Sequence, residues 1–307
     1  MTKVFIDGSA GTTGLRIADR LSARKDITLL TLPEERRKEL SARKDAINNA
    51  DIVFLCLPDA AAVEAVSLVE NPAVKIIDTS TAHRTSPGWV YGFPELSGQR
   101  EKIAASSRIA NPGCHASGFV ALVAPLVRQG ILKPDARLSC FSLTGYSGGG
   151  KKMIAQYEAP DRDPLLKAPR QYGLTQQHKH LKEMAALCGL ENAPVFCPIV
   201  ADFYSGMEVT IPLFSENIIG TAEDIRILYR SCYSAGLVRF TDSADPGEML
   251  SAFALSGKDN MSISVFGNEE RMILTARFDN LGKGASGAAI QNMNILLGID
   301  ETTGLNV

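Results

Sequence analysis

VFIDGSAGTTGLRIADRL, residues 4–21, opens with a short β-type run at Val4, Phe5 and Ile6, turns over Gly8 to Gly14, and continues as an apolar-periodic helix from Leu15 to Leu21. Strand, glycine turn and helix in that order begin a βαβ unit. Working outward, ITLLTL (Ile27 to Leu32), DIVFLCLP (Asp51 to Pro58) and VKIIDTS (Val74 to Ser80) read as three further strands, with helical patterning in AAAVEAVSLVE between the last two. Strands alternating with helices predict an α/β fold with a Rossmann-like, doubly wound parallel sheet.

The pattern changes after about residue 115. RLSCFSLTGYSGGG and MEVTIPLF read as longer strands of a second sheet, and SISVFGN with RMILTARFDN as a strand pair. The Gly- and Ala-rich run KGASGAAIQNMNILLGI near the end returns to a helical pattern that is expected to pack on the first domain. The expected division is therefore residues 1–114 plus 285–307 for the first domain. Residues 115–284 form a second, α+β domain for substrate and oligomerisation.

A chain of 307 residues exceeds one ordinary core, so two domains or one large α/β domain is expected, and 45% hydrophobic with 21% charged residues gives enough apolar surface for a sizeable core. A formal charge of −2 gives no global attraction for a nucleic-acid backbone, so any phosphate binding is local. The first residues lack the apolar core of a signal peptide and no run reaches membrane-spanning length, so a cytoplasmic protein is expected. Six scattered cysteines without a CxxC pair suit neither a disulfide scaffold nor a zinc site.

Gly8, Gly11 and Gly14 are spaced GxxGxxG between a strand and a helix, where a dinucleotide pyrophosphate meets the free N–H groups and dipole of a helix start. Ser9 and Ala10 complete that turn, and Thr12 and Thr13 add hydroxyl donors. Past the second strand the chain runs Glu34-Glu35-Arg36-Arg37-Lys38. Arg36 and Arg37 offer charge-assisted donors for a 2′-phosphate, which favours NADP(H) over NAD.

Asn111-Pro112-Gly113-Cys114-His115 lies between a short strand and the helical run ASGFVALVAPLV, which places Cys114 at a helix start where the dipole favours a thiolate. A cysteine so placed is a nucleophile candidate. In His178-Lys179-His180-Leu181-Lys182-Glu183 an imidazole could relay protons and Glu183, one turn away, could orient it. Both histidines remain candidates. His115 is a third, its side chain expected to point away from that of Cys114. No carboxylate or cysteine accompanies His178 and His180 at metal-ligand spacing, so no metal is expected. Gly145 to Lys152 forms a donor-rich loop for a phosphate or carboxylate, and Arg84, after a strand end at Asp78 to His83, could clamp an anion.

GSAGTTG, NPGCHASG, TGYSGGGK, HKHLKE and DNLGKGASGAAIQNMN together resemble the N-acetyl-γ-glutamyl-phosphate reductases of arginine biosynthesis, in their shorter form, over nearly the whole chain. The wider superfamily holds aspartate-semialdehyde and glyceraldehyde-3-phosphate dehydrogenases. The resemblance implies NADPH-dependent reduction of a small acyl phosphate to the semialdehyde through a thioester on Cys114. It implies His178 or His180 as acid/base with Glu183 nearby, and NADP on Gly8 to Gly14 with Gly284 near the nicotinamide. It gives Arg84, Asn111, Ser147 and Gly148 to substrate anions, and it implies a homo-oligomer, dimer or tetramer, built on the second sheet. Longer members read Pro-His after a Phe where this chain has Phe196-Cys197-Pro198-Ile199, which shifts the base to the HKH pair.

Overall fold

The computed structural model describes all 307 residues, which divide into two units. Residues 1–94, 98–112 and 285–305 form the first, and 95–97, 113–284 and 306–307 the second. The break falls before Gly113, so the helix that starts at Cys114 lies whole in the second unit.

The first unit is built on a parallel sheet of β1 (Thr2–Asp7), β2 (Ile27–Leu30), β3 (Ile52–Leu55), β4 (Lys75–Asp78), β5 (Val90–Tyr91) and β6 (Arg108–Ala110), in the order β2-β1-β3-β4-β6-β5. Every residue of β3 is buried, as a parallel strand covered on both faces requires. Successive side chains alternate between those faces. Val4 and Ile6 join Ile17 and Leu21 of α1 (Thr12–Ser22), together with Ile290 and Met293 of the C-terminal helix Gly287–Leu297. Phe5 faces the other way, onto Ile47 of α2 (Leu40–Asn49) and Ala62 and Ala65 of α3 (Asp59–Ser67). The sheet grows from β1 first toward β2 and then, on the other side, toward β3. That reversal is the switch point at which open α/β sheets bind ligands.

The strands expected at 27–32, 51–58 and 74–80 are shorter than their apolar runs. Pro33 and Pro58 are part of the reason: without an N–H they leave the ladder and instead sit at the N-terminal ends of the next helical turns. A short α4 (Gln99–Ala104) precedes β6.

In the second unit α5 (Cys114–Arg128), β7 (Ser139–Gly145), α6 (Gly150–Glu158), β8 (Arg170–Gln171), α7 (His180–Cys188), β9 (Val195–Ala201), β10 (Met207–Phe214), α8 (Ala222–Cys232), β11 (Val238–Phe240), β12 (Met261–Gly267) and β13 (Arg271–Phe278) follow in turn. The strands make one mixed sheet in the order β11-β12-β13-β10-β7-β9-β8. Val209, Ile211 and Leu213 of β10 are buried and alternate with exposed Pro212 and Phe214. Against the buried face lies α5, so closely that a Cβ on Gly118 would collide with Val209 and Phe278. Strand β9 carries Pro198, a residue that argues against a strand in sequence. It is accommodated because β9 pairs fully with β7 on one side and has only two-residue β8 on the other.

Candidate active site

Cys114 is the first residue of α5, entered from extended Gly113, which has no side chain to cap the helix. The cap comes from elsewhere in the unit: the buried carboxylate of Glu183, on α7, accepts the Gly113 N–H at 2.9 Å. Ser117 closes the first turn by donating its N–H and its hydroxyl to the Gly113 carbonyl at 2.8 and 3.0 Å. A Cβ on Gly284 would stand 3.0 Å from the Cβ of Cys114. Only glycine lets that segment approach the cysteine so closely.

Cys114 is half-buried and opens on a cavity of about 150 Å³. His178 and His180 line it, as does the backbone of Gly148 and Gly149 ahead of α6. So does His115. Its side chain does not turn away as expected, because neighbouring positions on a helix differ by only about 100° and both reach one cavity. Its Nδ1 pairs with Ser142 Oγ at 2.6 Å and its Nε2 with Tyr172 Oη at 2.7 Å, so both ring nitrogens are occupied. Burial, helped by the charge of His178, pushes the His115 pKa down to about 3.

His178 is also held below the usual histidine range, by burial first and then by the charge of Lys179. Its Nδ1 accepts the N–H of His180 at 3.3 Å, which leaves the neutral ring's proton on Nε2. The two imidazoles meet edge to face, centroids 4.9 Å apart. Burial, followed by the charge of Cys114, raises the Tyr172 hydroxyl above its ordinary range. The structure thus gathers Cys114, His178, His180 and Gly148 around one cavity. Sequence alone did not single out Tyr172, an isolated tyrosine outside every motif, or Lys179, hidden between two histidines. Ser147 is buried and accepts from Asn280 Nδ2 at 3.0 Å, tying the glycine loop to the end of β13.

In the first unit a cleft of about 470 Å³ opens beside the Gly8 turn. Gly8 takes φ +88°, and a Cβ there would overlap the Cys56 carbonyl at the end of β3. Helix α1 starts behind this turn with no side-chain cap and no acidic residue in its first turn, so its free N–H groups fit an anionic pyrophosphate. Gly8, Ser9 and Ala10 line the cleft, with Arg37 and Lys38 on its rim. Arg36 does not line it: Glu39, three residues on, holds its Nε at 2.8 Å. Arg43 was not foreseen. It lines the cleft while bonded to Asp7 Oδ2 through Nε and Nη2 at 3.1 and 3.0 Å.

Arg84 and Asn111 are buried in this unit. Arg84 donates to the carbonyls of Asn111 at 3.0 Å and Thr79 at 3.1 Å, and Asn111 Nδ2 donates to Ala285 O at 3.1 Å. These bonds hold the loop that leads on to Cys114. Beside them Asp78 Oδ2 accepts from Ser80 Oγ at 2.7 Å and pairs with His83 Nδ1 at 2.6 Å, while His83 stacks on Trp89.

Two family models match the chain: "semialdehyde dehydrogenase, NAD binding domain" over residues 3–106 and "semialdehyde dehydrogenase, dimerisation domain" over 114–280. An N-acetyl-γ-glutamyl-phosphate reductase of a Nostoc species is 45% identical over 99% of both chains, and one of Pseudomonas putida is 45% identical over 96% of both. The chain belongs to the N-acetyl-γ-glutamyl-phosphate reductase family. Members of that family are oxidoreductases, and the first matched model makes the cofactor of this one a nicotinamide nucleotide. Solved structures agree on the fold. Aspartate semialdehyde dehydrogenase II of Vibrio cholerae superposes with a TM-score of 0.70 at 14% identity, covering 97% of this chain and 98% of that one. The Candida albicans enzyme gives 0.66 at 16%, covering 97% and 98%. No helix of this reductase-family chain is long and apolar enough to cross a membrane.

Proposed function

We propose that the chain reduces N-acetyl-γ-glutamyl phosphate to N-acetyl-L-glutamate 5-semialdehyde with release of phosphate, using NADPH and Cys114 as nucleophile. The carrying observation is the shared cavity of Cys114, His178 and His180. At the start of α5 the N–H groups of the first turn favour the thiolate and, once it has attacked the acyl carbon, can stabilise the oxyanion. Phosphate leaves and a thioester remains on Cys114. A nicotinamide, when bound, would supply the hydride for reduction of this thioester. The His178–His180 pair holds the proton that the thiol gives up and returns it as the hemithioacetal collapses to aldehyde and cysteine. Glu183 acts through position, fixing the N-terminus of α5 to α7. Ser147 shapes the loop whose Gly148 faces the substrate. Gly284 leaves room beside Cys114. Arg84 and Asn111 fix the segment of the first unit that ends at Pro112.

The first unit is the NADP(H) carrier in this reading: Gly8, Ser9 and Ala10, which line the cleft, and the start of α1 behind them take the pyrophosphate, and Arg37, aided by Lys38, the 2′-phosphate. The second binds substrate and self-associates. Phe141, Val195, Phe214 and Ile273 are exposed on strands of its sheet, an apolar set suited to a second copy in a dimer or tetramer. All six cysteines are free, which suits the reducing cytoplasm. NADPH oxidation measured side by side with N-acetyl-γ-glutamyl phosphate and β-aspartyl phosphate tests the assignment. A kcat/KM at least ~100-fold higher for the acetylglutamyl compound is expected, since a site built for the acetamide group leaves polar groups unpaired with the other. Equal rates would overturn it.

A further inference from the structure

We infer that Lys179 is the phosphate-binding side chain of the Cys114 cavity, holding the phosphoryl group as it leaves. The inference rests on the reaction proposed above. Among the side chains that line the cavity none is a carboxylate, and Lys179 is the single lysine or arginine. Three other basic groups of this unit are held in ion pairs: Arg162 with Asp202, Arg277 with Asp245 and Lys283 with Glu95, each at 2.7 Å. No carboxylate holds Lys179, which is exposed at the mouth of the cavity.

Lys179 supplies the permanent positive charge of the cavity lining. His115 has both nitrogens bonded and stays neutral, and His178 is kept neutral by burial and by Lys179 itself. Across the cavity α6 begins directly after Gly148 and Gly149, and its first turn carries Lys151 and Lys152 and no acid. The positive end of that helix adds to the same field. A neutral acyl group does not need such a field. A phosphate dianion does.

Position decides which anion of the substrate is bound. Cys114 Sγ must bond to the acyl carbon, and the phosphate oxygen is attached to that same carbon, whereas the α-carboxylate lies several bonds away along the glutamyl chain. In a cavity of about 150 Å³ that also holds the reacting carbon, the anion beside Lys179 is the phosphoryl group. As the S–C bond forms and the tetrahedral adduct collapses, the C–O bond to phosphate breaks and its electron pair leaves on phosphate, beside the ammonium. In reverse, inorganic phosphate attacks the thioester from the same place.

The test follows the reverse reaction, with NADP, the semialdehyde and inorganic phosphate, in wild type, Lys179→Gln and Lys179→Arg. Losing one charge-assisted contact raises KM for phosphate about tenfold or more in Lys179→Gln, leaves KM for the semialdehyde within about twofold, and is largely recovered in Lys179→Arg. A parallel measurement needs no turnover: inorganic phosphate slows alkylation of Cys114 by iodoacetamide in wild type and not in Lys179→Gln. An unchanged KM for phosphate, an equal rise in KM for the semialdehyde, or undiminished protection by phosphate in Lys179→Gln overturns the role. If wild type turns over no semialdehyde while phosphate still protects Cys114 through Lys179, the reaction proposed above fails and the phosphate site stands.

Discussion

The carboxylate of Glu183 caps the N–H of Gly113 at 2.9 Å, so the helix that begins with His180 is fastened to the residue before Cys114. One hydrogen bond sets Cys114 and His180 on a common frame. The sequence suggests Glu183 as the group that orients a histidine, and the structure gives it a hold on the helix that begins at Cys114.

Glu183→Ala strands a buried N–H, a loss of about 1–3 kcal/mol in stability, and lets the first turn of α5 drift. Small displacements of reacting groups cost up to ~100-fold, so kcat falls at least about tenfold. Glu183→Gln keeps an acceptor oxygen and retains most activity. Thermal melts and kcat on both variants check this; equal loss of kcat in both, without a change in melting temperature, would mean that the charge and not the cap matters.

The two arginines expected to select NADP separate cleanly. Arg37 lines the cleft beside the Gly8 turn and Arg36 is held by Glu39 at 2.8 Å. Arg37→Gln raises KM for NADPH about tenfold or more and leaves KM for NADH nearly unchanged, since only the former carries the 2′-phosphate. Arg36→Gln changes neither by more than about twofold. Steady-state kinetics with both nucleotides decide it.

What was legible in the sequence is what backbone geometry dictates. Gly8 had to be glycine because of its positive φ and the nearby Cys56 carbonyl, and Pro112-Gly113 announced the helix start at Cys114. Long side chains were less legible. Arg36 and Arg37 are adjacent and chemically alike, and only the position of Glu39 tells them apart. Arg84 reads as an anion clamp by residue type and Asn111 enters through the resemblance, and no local pattern shows the backbone carbonyls to which both donate in the fold. Tyr172 and His115 meet across 57 positions of chain, a pairing no local pattern encodes.

His115 makes stability depend on pH. Folded, it takes up a proton only near pH 3; unfolded, near 6.5. Between those values the unfolded chain binds more protons, so stability rises with pH through the window, is complete above about 6.5, and is lost as pH falls toward 3. Its share of the slope is roughly 1.4 kcal/mol per pH unit. His115→Gln, which can still bond Ser142 and Tyr172, flattens the dependence between pH 6 and 4.5 in urea titrations. A slope equal to wild type would show that His115 is not the residue responsible.

The most direct test of the account follows NADP reduction with N-acetyl-L-glutamate 5-semialdehyde and inorganic phosphate in wild type and Cys114→Ala. The account predicts turnover in wild type and a fall of at least ~1,000-fold in the variant, as expected when a covalent nucleophile is removed. NADP affinity and melting temperature should stay near wild type. Turnover by Cys114→Ala within tenfold of wild type would contradict it.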